Sequence, residues 1–173
     1  MSNETPFNDK DGFRRLIELT NGLTLAQVCS LTQLESSTIQ NWVKRGFVPH
    51  PVGKRYDERS LARIRIISLL RDSLRLEQIG ELLTIVNGDT DDTSDDIISE
   101  SELYSCLCRI TELIGSTTAQ AAVDEVTREY TADESSRRRL KGALTVMALA
   151  CVAAQYKNQA ETTFNKLKKE ISL

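Results

Sequence analysis

Histidine is almost missing from this chain of 173 residues: His50 is the only one. That scarcity removes most hydrolytic and metal-dependent chemistries, which lean on imidazole as base or ligand. No G-x-S-x-G elbow and no phosphate-binding glycine loop takes its place. Aromatic residues make up only 5%, so a core has to come from Leu, Ile, Val and Ala, a mixture that suits helices better than sheets. Glycine is limited to eight positions and proline to three, which leaves few turns. Two of the prolines, Pro49 and Pro51, stand in one short stretch. Long apolar runs are also lacking. The longest, "ALTVMALACVAA" at 143–154, falls short of the ~18 residues a membrane helix needs.

The four cysteines do not form a metal signature. Cys106 and Cys108 make a C-x-C rather than the C-x-x-C of structural zinc, and Cys29 and Cys151 stand far from them in sequence. The opening residues "MSNETPFNDKDGF" are polar and charged, unlike a secretory leader. Reduced thiols in a cytoplasmic protein, with no cofactor and no membrane partner, are the expectation.

What is present is an uneven distribution of charge. The net charge is −3, yet residues 35–75 hold nine Lys or Arg against four Asp or Glu. Residues 89–102, "DTDDTSDDIISESE", hold seven acids and no base. Like charges at that density repel one another, so the acidic run reads as a linker. It lacks the ordered positions of a calcium loop.

Apolar spacing predicts a mainly α protein. A short amphipathic helix, "DGFRRLIEL", places Phe13, Leu16 and Ile17 on one side. Thr24 is a candidate N-cap for "LAQVCSLT", with Leu25, Val28 and Leu31 at helical spacing. After a break of about four residues, "SSTIQNWVKRG" repeats the pattern. Ser36 or Ser37 can cap it, Ile39, Trp42 and Val43 face inward, and Gly46 suits a left-handed stop. Two short helices at this separation have the spacing of a helix-turn-helix. "FVPHPVGKRY" cannot continue a helix and is expected to be a short β wing. Helical period returns with Leu61, Ile64, Ile67 and Leu70, then with Leu76, Ile79, Leu82, Leu83 and Val86, ending at Asn87-Gly88.

The second half begins near residue 97. Leu103, Leu107, Ile110 and Ile114 form a short a/d seam. Ala119, Ala122, Val123, Val126 and Tyr130 mark the next helix. The last helix runs from about 134 to 170, and its Ala-rich centre is nearly apolar all round, which implies burial. That centre either flanks a small-molecule pocket or fills a core. The expected organisation is an extension at 1–22, a winged helix-turn-helix at 23–88, an acidic linker at 89–98, and a helical dimerisation or effector bundle at 99–173.

In a helix-turn-helix the second helix enters the major groove. With Ile39, Trp42 and Val43 inward, Ser37, Thr38, Gln40, Asn41, Lys44 and Arg45 remain for the outside. Asn and Gln can pair bidentately with adenine, while hydroxyls, Lys and Arg suit phosphates or guanine. The wing would offer His50, Lys54, Arg55 and Tyr56 to a backbone or minor groove, and at least one of Arg59, Arg63 and Arg65 on the following helix would meet the flanking phosphates. Each of these also has a plain reading: a basic helix face is often only a solvated face, and His50 between two prolines is a common kind of loop residue.

The stretch from 23 to 83 resembles the winged helix-turn-helix of MerR-type bacterial regulators. Ile39, Trp42, Gly46, Phe47, Pro49, Lys54, Tyr56 and Leu61 occupy matching places. Gln40 and Asn41 stand where that pattern has Arg and Tyr, so no operator preference carries over. An extension precedes the domain, and a compact helical half stands in for the long dimerisation helix. "IQNWVKRGFVPHPVGKRY", "LARI" and "VNGDTDD" are more similar to an uncharacterised bacterial family, the domain of unknown function numbered 1836, over residues 10 to 115. The MerR resemblance implies a transcriptional regulator that binds double-stranded DNA as a homodimer and is not an enzyme. A winged helix turned into a protein-binding scaffold is the alternative, favoured by the pI of about 5.3.

Overall fold

The computed structural model describes Ile17, residues 21–88, Ser94 and residues 96–171. The helix expected around Phe13 and Leu16 lies outside the described residues, as does most of the acidic run at 89–95. Two compact units divide the chain between Arg65 and Ile66. Seven helices are described: α1 (Leu25–Thr32), α2 (Ser36–Lys44), α3 (Glu58–Leu70), α4 (Leu76–Asn87), α5 (Glu100–Leu113), α6 (Ala119–Val126) and α7 (Glu134–Ile171).

In the first unit, α1 starts at a reciprocal cap. The Thr24 hydroxyl accepts from the Gln27 amide, and the Gln27 side chain accepts from the Thr24 amide at 2.8 Å. Gln33 then takes a left-handed conformation (φ 56°) and turns the chain into α2. The cap expected at Ser36 or Ser37 is displaced: Glu35 is the N-cap and makes no side-chain cap bond, while both serines lie within the helix. At the other end Gly46 (φ 76°) closes a Schellman motif, with Phe47 N–H donating to the Trp42 carbonyl and Gly46 N–H to that of Val43.

The expected β wing is not formed: the described residues contain isolated bridges and no strand. Pro49 and Pro51 have no N–H to give to a ladder, so the incoming side cannot pair. What remains is a tight turn at Val52–Arg55, with Gly53 and Lys54 at φ 57° and 62° and Arg55 N–H donating to the Val52 carbonyl at 2.9 Å. Positive φ at both central residues makes it a type I′ turn. Leu23 and Tyr56 exchange both backbone hydrogen bonds at 2.8 Å, forming one antiparallel bridge.

In the second unit, α4, α5 and α6 pack against α7, and α5 also packs on α6. Ile79, Leu83, Val86, Leu103, Leu107, Ile110, Ala122, Val123, Leu144 and Met147 are all but fully buried. The Leu103–Leu107–Ile110 seam is therefore consumed inside its own unit and is unavailable to a second copy. The Ala-rich stretch is not buried all round either. Ala143, Ala148, Ala150 and Cys151 fill the core, whereas Val146 and Leu149 face solvent.

Candidate nucleic-acid interface

The exposed side of α2 follows from what its other side must bury. Ile39, Trp42 and Val43 recur at helical spacing and are buried, which fixes the rotation of the helix. Ser37, Gln40, Asn41, Lys44 and Arg45 are consequently exposed, and Thr38 is half-buried at the margin. The two amides, one hydroxyl and two cations thus share one solvent-facing surface across nine residues and the cap. Arg45 lies over the Phe47 ring with its guanidinium carbon 5.0 Å from the ring centre, a contact that restricts the guanidinium beside the helix end.

Beyond α2, Val48 is fully buried and pins the loop, while His50 is exposed between its two prolines. Gly53, Lys54 and Val52 form the exposed tip, with Val52 at 85% exposure. Val52 carries no charge and no helical period, so the pattern gave no reason to single it out. An apolar side chain at a turn tip flanked by Lys54 is the type of group that some proteins press into a minor groove.

Five residues expected to face DNA are buried or half-buried instead. Arg63 is buried to 1% exposure, and its Nε donates to the Phe47 carbonyl oxygen at 2.8 Å. Tyr56 is also buried, and burial first, with Cys29 nearby second, pushes its phenol above the ordinary value. The expectation of Tyr56 at a backbone or minor groove, and of Arg63 among the candidates for a flanking phosphate, takes the basic and polar residues of this stretch to face outward. Here the loop's own carbonyls and core claim them. Arg55 is half-buried and donates to the Gly22 carbonyl at 3.1 Å, and Arg65 donates to the Leu31 carbonyl at 3.3 Å. Leu31 is in the last turn of α1, where carbonyls lack helical partners. Arg59 is likewise half-buried. The outward-facing cations of the unit's tip and α2 are Lys44, Arg45 and Lys54.

Nothing resembling a metal centre accompanies this surface: among the described residues no three His, Cys, Asp or Glu side chains gather closely enough to hold an ion. No described helix is long and apolar enough to cross a membrane.

No solved structure matches the chain. One similar protein is the uncharacterized protein YkrK of Bacillus subtilis (strain 168), 29% identical over 119 residues. That alignment covers 66% of this chain and 51% of the relative, so the chain spans about half the length of the curated relative it matches. The family described as a domain of unknown function (DUF1836) matches residues 15–107, a span that takes in α1 to α4, the loop at Val52–Arg55 and the start of α5. The chain belongs to that family.

Proposed function

We propose that this protein is a sequence-specific DNA-binding transcriptional regulator, non-enzymatic and homodimeric, that reads DNA with α2 of a MerR-like helix-turn-helix. The observation that carries the reading is the division of α2 into two faces. Ile39, Trp42 and Val43 are buried while Ser37, Gln40, Asn41, Lys44 and Arg45 are together exposed. Amides and cations on one exposed helix match what base edges and phosphates require. Lys54 and His50 on the adjoining loop extend the reading to a flanking phosphate or groove, and the likeness to MerR-type regulators in residue order adds to it. A single module of this kind covers little DNA, so two copies on two half-sites are the natural arrangement.

The test is selection from random-sequence DNA at two salt concentrations, followed by titration of the Lys44→Ala plus Arg45→Ala double variant on the selected site. A palindromic site is expected, and the double variant, which removes two cations from each of two copies, should bind more weakly with a salt slope shallower by about four. Unchanged binding by a folded double variant removes α2 from the interface. Absence of any selected sequence turns the exposed face toward a protein partner.

A further inference from the structure

From Gln155 to Ile171 every residue of α7 is exposed. Most helical stability in proteins comes from packing an apolar face rather than from propensity. This segment has such a face. Leu149, Tyr156, Phe164, Leu167 and Ile171 are each more than half exposed, and Ala153 and Ala160 complete the row.

The row has an internal symmetry. From Leu149 through Ala153, Tyr156, Ala160, Phe164 and Leu167 to Ile171, the steps are four, three, four, four, three and four residues. That is two consecutive runs of eleven, a repeat of about 3.67 residues per turn, close to that of a straight helix. The row therefore stays on one side of α7 for about 33 Å without needing much supercoil. Read backwards about Ala160, the spacing is the same. A two-fold axis through Ala160 places Tyr156 opposite Phe164, Leu149 opposite Ile171, and small Ala153 opposite large Leu167, with Ala160 meeting its own copy. A surface that matches itself under two-fold rotation is what an isologous dimer requires.

Charge selects the direction. Lys166, Lys168 and Lys169 crowd the C-terminal end of α7. Two parallel copies would bring all six cations to one end. Antiparallel copies send them to opposite ends, each beside the uncharged stretch from Ala150 to Ala154. Lys157 and Glu161 flank the row on the same side, and the antiparallel arrangement sets Lys157 of one copy within a turn of Glu161 of the other, twice. A parallel pair would instead put these two residues of the two copies on opposite flanks of the seam, so neither charge pair would form. The occupant with the required spacing and charge is a second copy of this chain.

We propose that residues 149–171 of α7 form an antiparallel helix pair with the same residues of a second copy, and that this pair is the homodimer interface. The inference rests on the homodimer of the proposed function and gives it a location, and it needs nothing from the DNA.

The full-length chain is to be weighed in solution by sedimentation or light scattering, beside the variant Tyr156→Glu plus Phe164→Glu. Wild type is expected at twice 19.4 kDa and the variant at 19.4 kDa, a two-fold fall in mass. Both altered residues are exposed, so the helical circular dichroism of the packed core should persist. A monomeric wild type, or a double variant that stays dimeric, overturns the proposal. Direction is read by oxidative cross-linking of Ala153→Cys and Leu167→Cys chains, against oxidised wild type as background. Cross-links confined to the mixture of the two variants support the antiparallel pair, and cross-links within either variant alone overturn it. The DNA selection reads the other claim separately: a dimer through α7 that selects no DNA leaves this interface standing and removes the regulator.

Discussion

The Nε of Arg63, in the buried part of α3, donates to the carbonyl oxygen of Phe47, the residue whose N–H completes the Schellman turn that ends α2. A side chain that looks like a phosphate ligand in the sequence thus holds the end of the exposed helix from within. Replacing Arg63 by Ala leaves that carbonyl without its charged donor and removes the packing of the Arg stem. Unfolding free energy by urea titration should fall by about 2 to 3 kcal/mol. Arg63→Lys should recover little, because a lysine ammonium cannot present a planar Nε donor at the same place. On DNA, the salt slope of Arg63→Ala should equal that of wild type, since a buried guanidinium displaces no counterion. A reduced slope would return Arg63 to the phosphate contacts.

Gly22 tests the junction where the loop returns to the start of α1. Its φ is 95°, and a Cβ built there would sit 2.9 Å from the Tyr56 carbonyl oxygen, a backbone atom that cannot step aside. Gly22→Ala should therefore destabilise by roughly 1 to 3 kcal/mol, from strain together with a weakened Leu23–Tyr56 bridge. Gly53→Ala has open space around the new methyl and should cost less, although its φ of 57° keeps the change unfavourable. Thermal melts of the two variants side by side decide this, and an equal loss in both would deny the close approach at Gly22.

These positions show where the sequence was readable and where it was not. Helical period located α1, α2, α4, α5 and α7 closely, because burial of one face is a local demand, whereas α6 ends at Val126, short of the Tyr130 expected on it. Thr24, Gly46 and Gly88 each signalled an end that the structure has. Alternation around a glycine suggests a wing, but the missing N–H groups of Pro49 and Pro51 outweigh it. The roles of Tyr56, Arg63 and Arg65 were illegible for a different reason. Whether an arginine faces a phosphate or a backbone carbonyl depends on which loop lies over it, and that is set by residues 16 to 34 positions away. The 103–114 seam showed an apolar face correctly but could not say which neighbour covers it. The exposed end of α7 is hard to read in sequence because its apolar residues are spaced out by charged ones, whereas the Ala-rich centre that supplies core is continuous.

Lys54 separates stability from binding at one residue. It holds a φ of 62° at the second central position of the type I′ turn, where a non-glycine side chain is unfavourable. Lys54→Gly should raise the melting temperature slightly or leave it level, as relief of the strain offsets the entropy that glycine adds to the unfolded chain. On the selected DNA the same variant should bind more weakly, with a salt slope shallower by about two, one for each copy. Equal affinity in the stable variant would take this loop out of the interface while leaving α2 in it.

Cys151 sits in the core of the second unit, and its thiol is pushed up to about 11 by burial first and by Cys108 nearby second. Cys29, Cys106 and Cys108 are only half-buried. At neutral pH a thiol-specific reagent should reach those three in the native chain, with Cys151 reacting only once denaturant is added. The same shift has a consequence for stability. Below pH 9 the thiol is protonated in both states and contributes no slope. Between about 9 and about 11 the unfolded chain releases a proton that the folded chain retains, so stability falls as pH rises through that window. Tyr56 and Tyr130, both raised by burial, add a loss of the same sign at the upper end. Denaturation midpoints from pH 8 to 11 should decline for wild type and decline less steeply for Cys151→Ala. A variant with the wild-type slope would assign the alkaline loss to the tyrosines alone.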